Sequence, residues 1–452
     1  MDLSFLGAAG TVTGSKYLLT HNDHQFLIDC GLYQGVKNLR QRNWKALPLP
    51  ASNIRAVLLT HAHIDHSGYL PALVKRGYKG KVYCSSATHE LCKVLLPDAG
   101  YLQEEDARYA NKRKFSRHSP AEPLFSVEDA HRALKQFQPV DFGETLTLSG
   151  GVTARFSPVG HIIGASCIRL DNGQTSILFS GDVGRQKDPV MYPPEPVDGA
   201  DYLVVESTYG DRRHGTQDPM LQLETIINET ASRGGIVLIP SFAVGRAELL
   251  LHLICELKRQ QRIVDLPLYL NSPMAITATE IHKRFHKLHR LSAEQCQQID
   301  DNTHYVRSVE ESIALNGKKM PAIIISASGM ASGGRVLHHL KALLPNHRNS
   351  VVFAGFQAPG TRGEAMINGV DKVKIHGGYY PVKAQIHSLE NLSAHGDHGD
   401  IVDWLRHCKQ RPNHTWVTHG EPAAADAMRL HIQDELDWHA SVAEYQDKVS
   451  LG

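Results

Sequence analysis

The chain contains no run of about 18 consecutive apolar residues, so no segment is expected to cross a bilayer as a helix and no membrane partner is expected. Its first residues, Met1-Asp2-Leu3-Ser4-Phe5-Leu6-Gly7, lack the basic stretch and long apolar stretch of a secretion signal. Charge of either sign in excess is also missing. The 48 Lys+Arg stand against 47 Asp+Glu, for a formal net charge of +1. No global basic field therefore attracts nucleic acid, and such binding would have to rest on a local groove or on bound cations. There is no Cys-x-x-Cys pair. The seven cysteines, at 30, 84, 92, 167, 255, 296 and 408, are scattered and odd in number. That argues for reduced thiols and a cytoplasmic location. No low-complexity tail, repeat or long linker interrupts the chain. What remains is an ordinary globular composition, 42% hydrophobic and 21% charged over 452 residues, too long for one core.

Against this background one stretch stands out. Leu59-Thr60-His61-Ala62-His63-Ile64-Asp65-His66-Ser67-Gly68 follows the apolar run Ala56-Val57-Leu58-Leu59. The run reads as a buried strand, which puts the histidines and the aspartate at its C-terminal end, where open α/β sheets keep their sites. Imidazole and carboxylate suit zinc, iron or manganese. The bland reading is a polar turn that happens to be rich in histidine, in a chain with 27 of them.

Around it, residues 3–30 read as short strands between glycine-rich turns, with Asp29 at the end of the third. A long helix is expected over 87–114, ending in Arg108, Lys112, Arg113, Lys114 and Arg117; a solvated face explains this cluster better than phosphate contact does. Asn172-Gly173 predicts a type I′ hairpin that ends at Gly181-Asp182. His161 sits between glycines in a turn. His282, His286 and His289 have helical spacing within a Lys/Arg-rich segment and read as a solvated basic face.

From about 208 to 360 apolar strands alternate with helices, which means a parallel sheet of βαβ units. Its strands end in Gly/Ser-rich turns that include Ser241, Arg246, Ser328, Gly329, Arg335 and Gln357. Such turns expose backbone N–H groups at helix starts and can cradle phosphate, although ordinary βα turn chemistry looks the same.

His61-Ala62-His63-Ile64-Asp65-His66 resembles the His-x-His-x-Asp-His signature of the metallo-β-lactamase superfamily. Gly160-His161, Gly181-Asp182 and His419 follow in the order that superfamily requires. Glu206-Ser207-Thr208-Tyr209-Gly210, Ser393-Ala394-His395-Gly396-Asp397 and Thr418-His419-Gly420 resemble the added motifs of its β-CASP branch, nucleases of RNA or DNA that include the polyadenylation-site endonuclease and its prokaryotic relatives. Gly396 departs from the alanine common in that branch. No RNA-binding domain is expected before Met1 and no further domain after the last helix and strand.

The resemblance implies an α/β protein: a metallo-β-lactamase αββα sandwich, residues 1–207 and 361–452, interrupted by a Rossmann-like parallel-sheet β-CASP domain at 208–360. It implies two Zn2+, with Mn2+ as the alternative. His61, His63 and His161 would hold one ion, Asp65, His66 and His419 the other, with Asp182 bridging and Asp29 orienting a ligand histidine from behind. His395 would be the general acid, held by Glu206, and Asp65 would also orient the nucleophile. Arg246, Arg335 and the Gly/Ser turns would hold the nucleic-acid backbone. Histidine at position 419 favours RNA over DNA in this branch.

Two metals activate water and stabilise the charge that builds in phosphodiester hydrolysis. The expected activity is therefore a single-stranded RNA endonuclease with 5′-exonuclease activity as a companion, and a homodimer is a further expectation. The competing readings are hydrolysis of a small ester or thioester, a DNA nuclease, and a non-catalytic scaffold.

Overall fold

The computed structural model describes residues 1–114, 118–355, 357–358 and 360–452, so Arg117 of the basic cluster lies outside the described residues, as do Phe356 and Pro359. The chain forms two compact units. One comprises Met1–Asp188, Tyr192–Arg213 and His395–Gly452; the other comprises Pro189–Met191 and His214–Ala394.

The first unit holds two seven-stranded sheets among its described residues. In one, Asp2–Phe5, Tyr17–His21 and His24–Ile28 run antiparallel, and Ile54–Leu58, Lys81–Ser85 and Phe137–Val140 continue parallel to the last of them. In the other, Thr153–Pro158, Ser166–Asp171 and Ser176–Phe179 are antiparallel, then Tyr202–Val205, His414–Val417 and Ala440–Val442 run parallel. The inner faces share one core, with Phe5, Phe26, Ile28 and Leu58 meeting Phe156, Ile168, Phe179, Val204 and Trp416. Helices Ser86–Arg113 and Pro422–Leu436 pack on the outer sides, which completes an αββα sandwich. No helix among the described residues is long and apolar enough to cross a membrane.

The second unit is a six-stranded parallel sheet, ordered Thr303–Tyr305, Leu268–Asn271, Ala322–Ser326, Ile236–Pro240, Ser350–Ala354, Gln385–Leu389. Strands such as Ile236–Pro240 and Ala322–Ser326 are buried at every residue, as continuous apolar runs covered on both faces should be. Alternate residues feed separate cores. Val237, Ile239, Ile323 and Ile325 face one; Ile236, Leu238, Ile324 and Phe353 face the other.

Three expectations are corrected. The second unit ends at Ala394 and not near 360, because Gln385–Leu389 joins its sheet beside Ser350–Ala354. The Asn172-Gly173 hairpin exists, but its loop has four residues, Asn172 to Thr175. The Asn172 carboxamide accepts from the Gln174 and Thr175 N–H groups, and only Gly173 takes a positive φ. His282 and His289 are not solvated: both are buried, with rings stacked 3.9 Å apart. His289 bonds the His282 carbonyl and the Leu291 N–H, and burial pushes the His282 pKa down to about 3.

A buried carboxyl sits in the first turn of helix Arg246–Arg259. Glu248 is 3% exposed, its Oε2 has no hydrogen-bond partner among the described residues, and burial lifts its pKa to about 7. A raised acid binds its proton more tightly when folded, so its stabilising contribution is complete below about pH 4.5 and is lost as pH rises through about 7. Glu248→Gln is therefore expected to leave stability near pH 4 almost unchanged and to raise it by about 3 kcal/mol at pH 8. Thermal or urea unfolding at both pH values measures this, and an equal effect at the two would exclude the carboxyl as its source.

Candidate metal centre

The centre lies in the first unit and is built from strand ends. Ile54–Leu58 leads through Leu59 and Thr60 to His61, and His63 then caps the short helix Ile64–Ser67 that carries Asp65 and His66. His24–Ile28 delivers Asp29 and His414–Val417 delivers His419. Both residues adopt left-handed backbone, at φ 58° and 49°. Non-glycine residues adopt this conformation at a cost of about 1–2 kcal/mol, so the surrounding contacts must hold them there. Gly181, at φ 58°, lets Asp182 approach, since a Cβ there would lie 2.9 Å from the Thr60 Cβ.

Four donors converge first. His61 Nε2 and His161 Nε2 lie 3.1 and 3.2 Å from His63 Nδ1, and 3.4 and 3.6 Å from Asp182 Oδ2. A tetrahedral ion with bonds of about 2.0–2.1 Å spaces its ligand atoms about 3.3 Å apart. The second set shares the same aspartate. His66 Nε2 is 3.1 Å from His419 Nε2 and 3.2 Å from Asp182 Oδ1, and Asp65 Oδ2 lies 3.4 Å from His419 Nε2 and 3.9 Å from His66 Nε2. Both sets could hold a metal ion. The donor chemistry fits, and so does a buried atom that finds no hydrogen bond among the described residues, Asp182 Oδ1.

The backs of three of the rings are held. Asp29 Oδ2 lies 2.6 Å from His66 Nδ1, which leaves Nε2 facing the centre, and Asp29 is itself gripped by the Thr60 N–H and hydroxyl. Thr60 Oγ1 also meets His61 Nδ1, and Thr208 Oγ1 meets His419 Nδ1. Thr60 and Thr208 escaped the sequence reading; adjacency to a motif is their one signal. Burial holds His61 and His161 below the ordinary histidine range and His63 at about 3. Burial opposes the charge of Asp182, but His419, His66 and His61 outweigh it and hold that carboxyl well below its usual range.

His395 and Glu206 stand beside the first set. Glu206 is anchored by the N–H groups of Val183 and Thr208, at 2.6 and 3.2 Å, and its oxygens reach His395 Nδ1 at 3.1 and 3.2 Å. His395 Nε2 points to Asp182 Oδ2, 3.9 Å away. Burial disfavours its charge, yet Glu206 and Asp182 raise its pKa to about 9. Its side chain is 19% exposed and that of Asp65 20%, against 2% or less for His61, His161 and Asp182, so the open side of the centre is theirs, shared with the half-buried His63. Asp397, two residues on, caps helix His398–Leu405 through a reciprocal box with Asp400, which fixes where the His395 segment ends.

The six residues suggested for backbone binding lie in the second unit, at the ends of its strands. Arg246 donates to the Ala354 carbonyl, and Arg335 to Asn271 Oδ1 and the carbonyls of Val306 and Arg307. Ser328 accepts from the N–H groups of Ser332 and Gly333, Gln357 donates to the Gly329 carbonyl, and Ser241 to that of Phe242. The structure thus engages both guanidinium groups with oxygens of their own unit.

An αββα sandwich with such a centre at its strand ends defines a class, the metal-dependent hydrolases of the metallo-β-lactamase fold. Residues 9–221 match the model of the metallo-beta-lactamase superfamily, 247–366 that of the Beta-Casp domain, and 379–443 that of the Zn-dependent metallo-hydrolase RNA specificity domain. The chain belongs to the β-CASP family of the metallo-β-lactamase superfamily. Ribonuclease TTHA0252 of Thermus thermophilus is 35% identical over 410 residues, which are 88% of this chain and 89% of that protein. Transcription termination factor FttA of Methanocaldococcus jannaschii is 31% identical over 451 residues, 94% of this chain and 68% of that one. A crystal structure of an Enterococcus faecalis V583 protein of unknown function shares the fold at TM-score 0.55 and 13% identity, covering 100% of this chain and 99% of that one.

Asp29→Ala is expected to free His66 to turn and to weaken divalent-metal binding about 10–100-fold. Titration against a chromophoric chelator measures it; unchanged affinity would show that His66 needs no such support.

Proposed function

We propose that the protein is a ribonuclease that uses two zinc ions, with manganese as the alternative, to hydrolyse phosphodiester bonds of single-stranded RNA, cutting internally and also trimming from the 5′ end. The observation that carries this reading is the sharing of Asp182: one oxygen faces His61, His63 and His161, the other faces His66 and His419. Two adjoining donor sets suit an in-line displacement at phosphorus, where attacking and leaving oxygens both carry charge. The RNA substrate is supported by the name of the Thermus thermophilus relative and by the match at 379–443. A cytoplasmic setting fits the seven free thiols.

When bound, the metals supply the activated water and charge stabilisation at phosphorus. The protein's own groups do the rest. His161 and Asp182 fix the inner wall of the centre. Asp65, partly open to solvent, accepts a hydrogen bond from the attacking water and orients it. His395 carries its proton on Nε2 toward the leaving oxygen, while Glu206 accepts from Nδ1 and sets the tautomer. Glu206 can do this because two backbone N–H groups keep its carboxylate in place.

The test is incubation with RNA labelled at either end. Internal cuts are expected, with shortening from the 5′ end as a second pattern. His395→Ala should slow cutting by about 10²–10⁴-fold while metal content is retained. Asp182→Ala should lose both activity and metal. Intact RNA alongside hydrolysis of a thioester or of DNA would overturn the assignment.

A further inference from the structure

Lys16 is buried, 3% exposed, and makes no ion pair among the described residues. Burial pulls its pKa down to about 8. An ammonium group placed away from water without a carboxylate is costly unless something else receives its protons. Here the Gly31 carbonyl accepts, the Gly14 carbonyl lies at 3.5 Å, and the rings of Tyr69 and Tyr33 flank the nitrogen at 4.7 and 5.0 Å. A methionine or leucine would fill this space without the charge.

What these partners touch explains the choice. Gly31 lies against the Asp65 carbonyl so closely that a Cβ there would fall 1.5 Å from the oxygen. The Ser15 N–H bonds that same oxygen at 2.8 Å, and the Gly31 N–H bonds the Ser15 carbonyl at 2.9 Å. The Cys30 N–H bonds the His66 carbonyl at 2.7 Å, and the Tyr69 N–H bonds the Cys30 carbonyl at 2.8 Å. The lysine therefore ties two loops together beneath the backbone of Asp65 and His66. It touches neither His61, His63 nor His161, which come from a strand end and from the loop beside Gly160.

We propose that Lys16 is a positioning residue for the second donor set alone: by pinning the Gly14 and Gly31 carbonyls under the Asp65–His66 turn, it sets how tightly Asp65, His66 and His419 hold their ion. This rests on the two-ion reading above. Removing the ammonium takes its contacts from the Gly31 and Gly14 carbonyls and lets the turn move, while the first set keeps its supports.

Full-length wild type, Lys16→Met and Lys16→Arg are compared by zinc titration against a chromophoric chelator. Wild type should bind two ions per chain. Lys16→Met should keep one at unchanged affinity and bind the second about 10–100-fold more weakly. Lys16→Arg, which keeps the cation, should lose less, and it carries the comparison if the methionine variant does not fold. The ion retained by Lys16→Met should disappear when His161→Ala is added. Hydrogen exchange on the metal-free proteins gives a reading independent of zinc: residues 64–69 should exchange faster in Lys16→Met, and residues 160–163 should not. Equal weakening of both ions, or unchanged exchange at 64–69, overturns the proposal. Fewer than two ions on the wild type overturns the two-ion reading instead, and exchange then decides the part played by Lys16.

Discussion

Buried nitrogens and carboxylate oxygens crowd together at the centre of this protein. Ring nitrogens of His61, His63 and His161, and again of His66 and His419, stand 3.1–3.2 Å apart. Carboxylate oxygens crowd into the same space. No arrangement of neutral rings and anions is comfortable there without positive charge between them, whether protons or metal ions. Behind the donors stand strand ends, the hydroxyl groups of Thr60 and Thr208, and the Asp29 carboxylate. The sandwich brings these donors within reach of one another.

Asp182 shows how far this goes. Nearly all of it is out of solvent, and the charges that keep it ionised are the histidines it faces. It is held at the end of strand Ser176–Phe179 by a glycine that can enter left-handed backbone. Glu206 leaves the neighbouring strand, Tyr202–Val205, and grips the Val183 N–H next door. Glu206 and the shared aspartate are therefore tied together across adjacent strands, by this bond and by the Glu206 N–H on Ser180 Oγ. A shift of either strand would move both.

How much of this could be read from the residues depended on sequence distance. His61 to His66 announce themselves because four donors share one turn. His161, Asp182 and His419 do not: each is a single polar residue beside a glycine, and only resemblance singled them out. Asp29 is an ordinary strand-end carboxylate until the sheet brings it to His66, 37 residues on. The parallel sheet is legible from its apolar runs, but its edge strand Gln385–Leu389 is largely polar and gives no such run, so the expected boundary falls too early. His282 and His289 were misread because their neighbours are basic. Charge on adjacent residues says nothing about the face of a helix that turns inward. Lys16 gave no signal at all, since a lysine near a glycine-rich turn is by default a surface residue.

The left-handed backbone at Asp29 and His419 places these two positions in conflict with the rest of the chain. At both, glycine would relax the main chain, by about 1 kcal/mol. That relief is outweighed by what the side chains do: the Asp29 carboxylate accepts from the Thr60 N–H and hydroxyl and meets His66, and Thr208 meets His419, so glycine would leave buried polar groups without partners at about 1–3 kcal/mol each. The contacts that hold the left-handed backbone in place are the same ones that aim the donors, so at positions 29 and 419 the strain and the site stand or fall together.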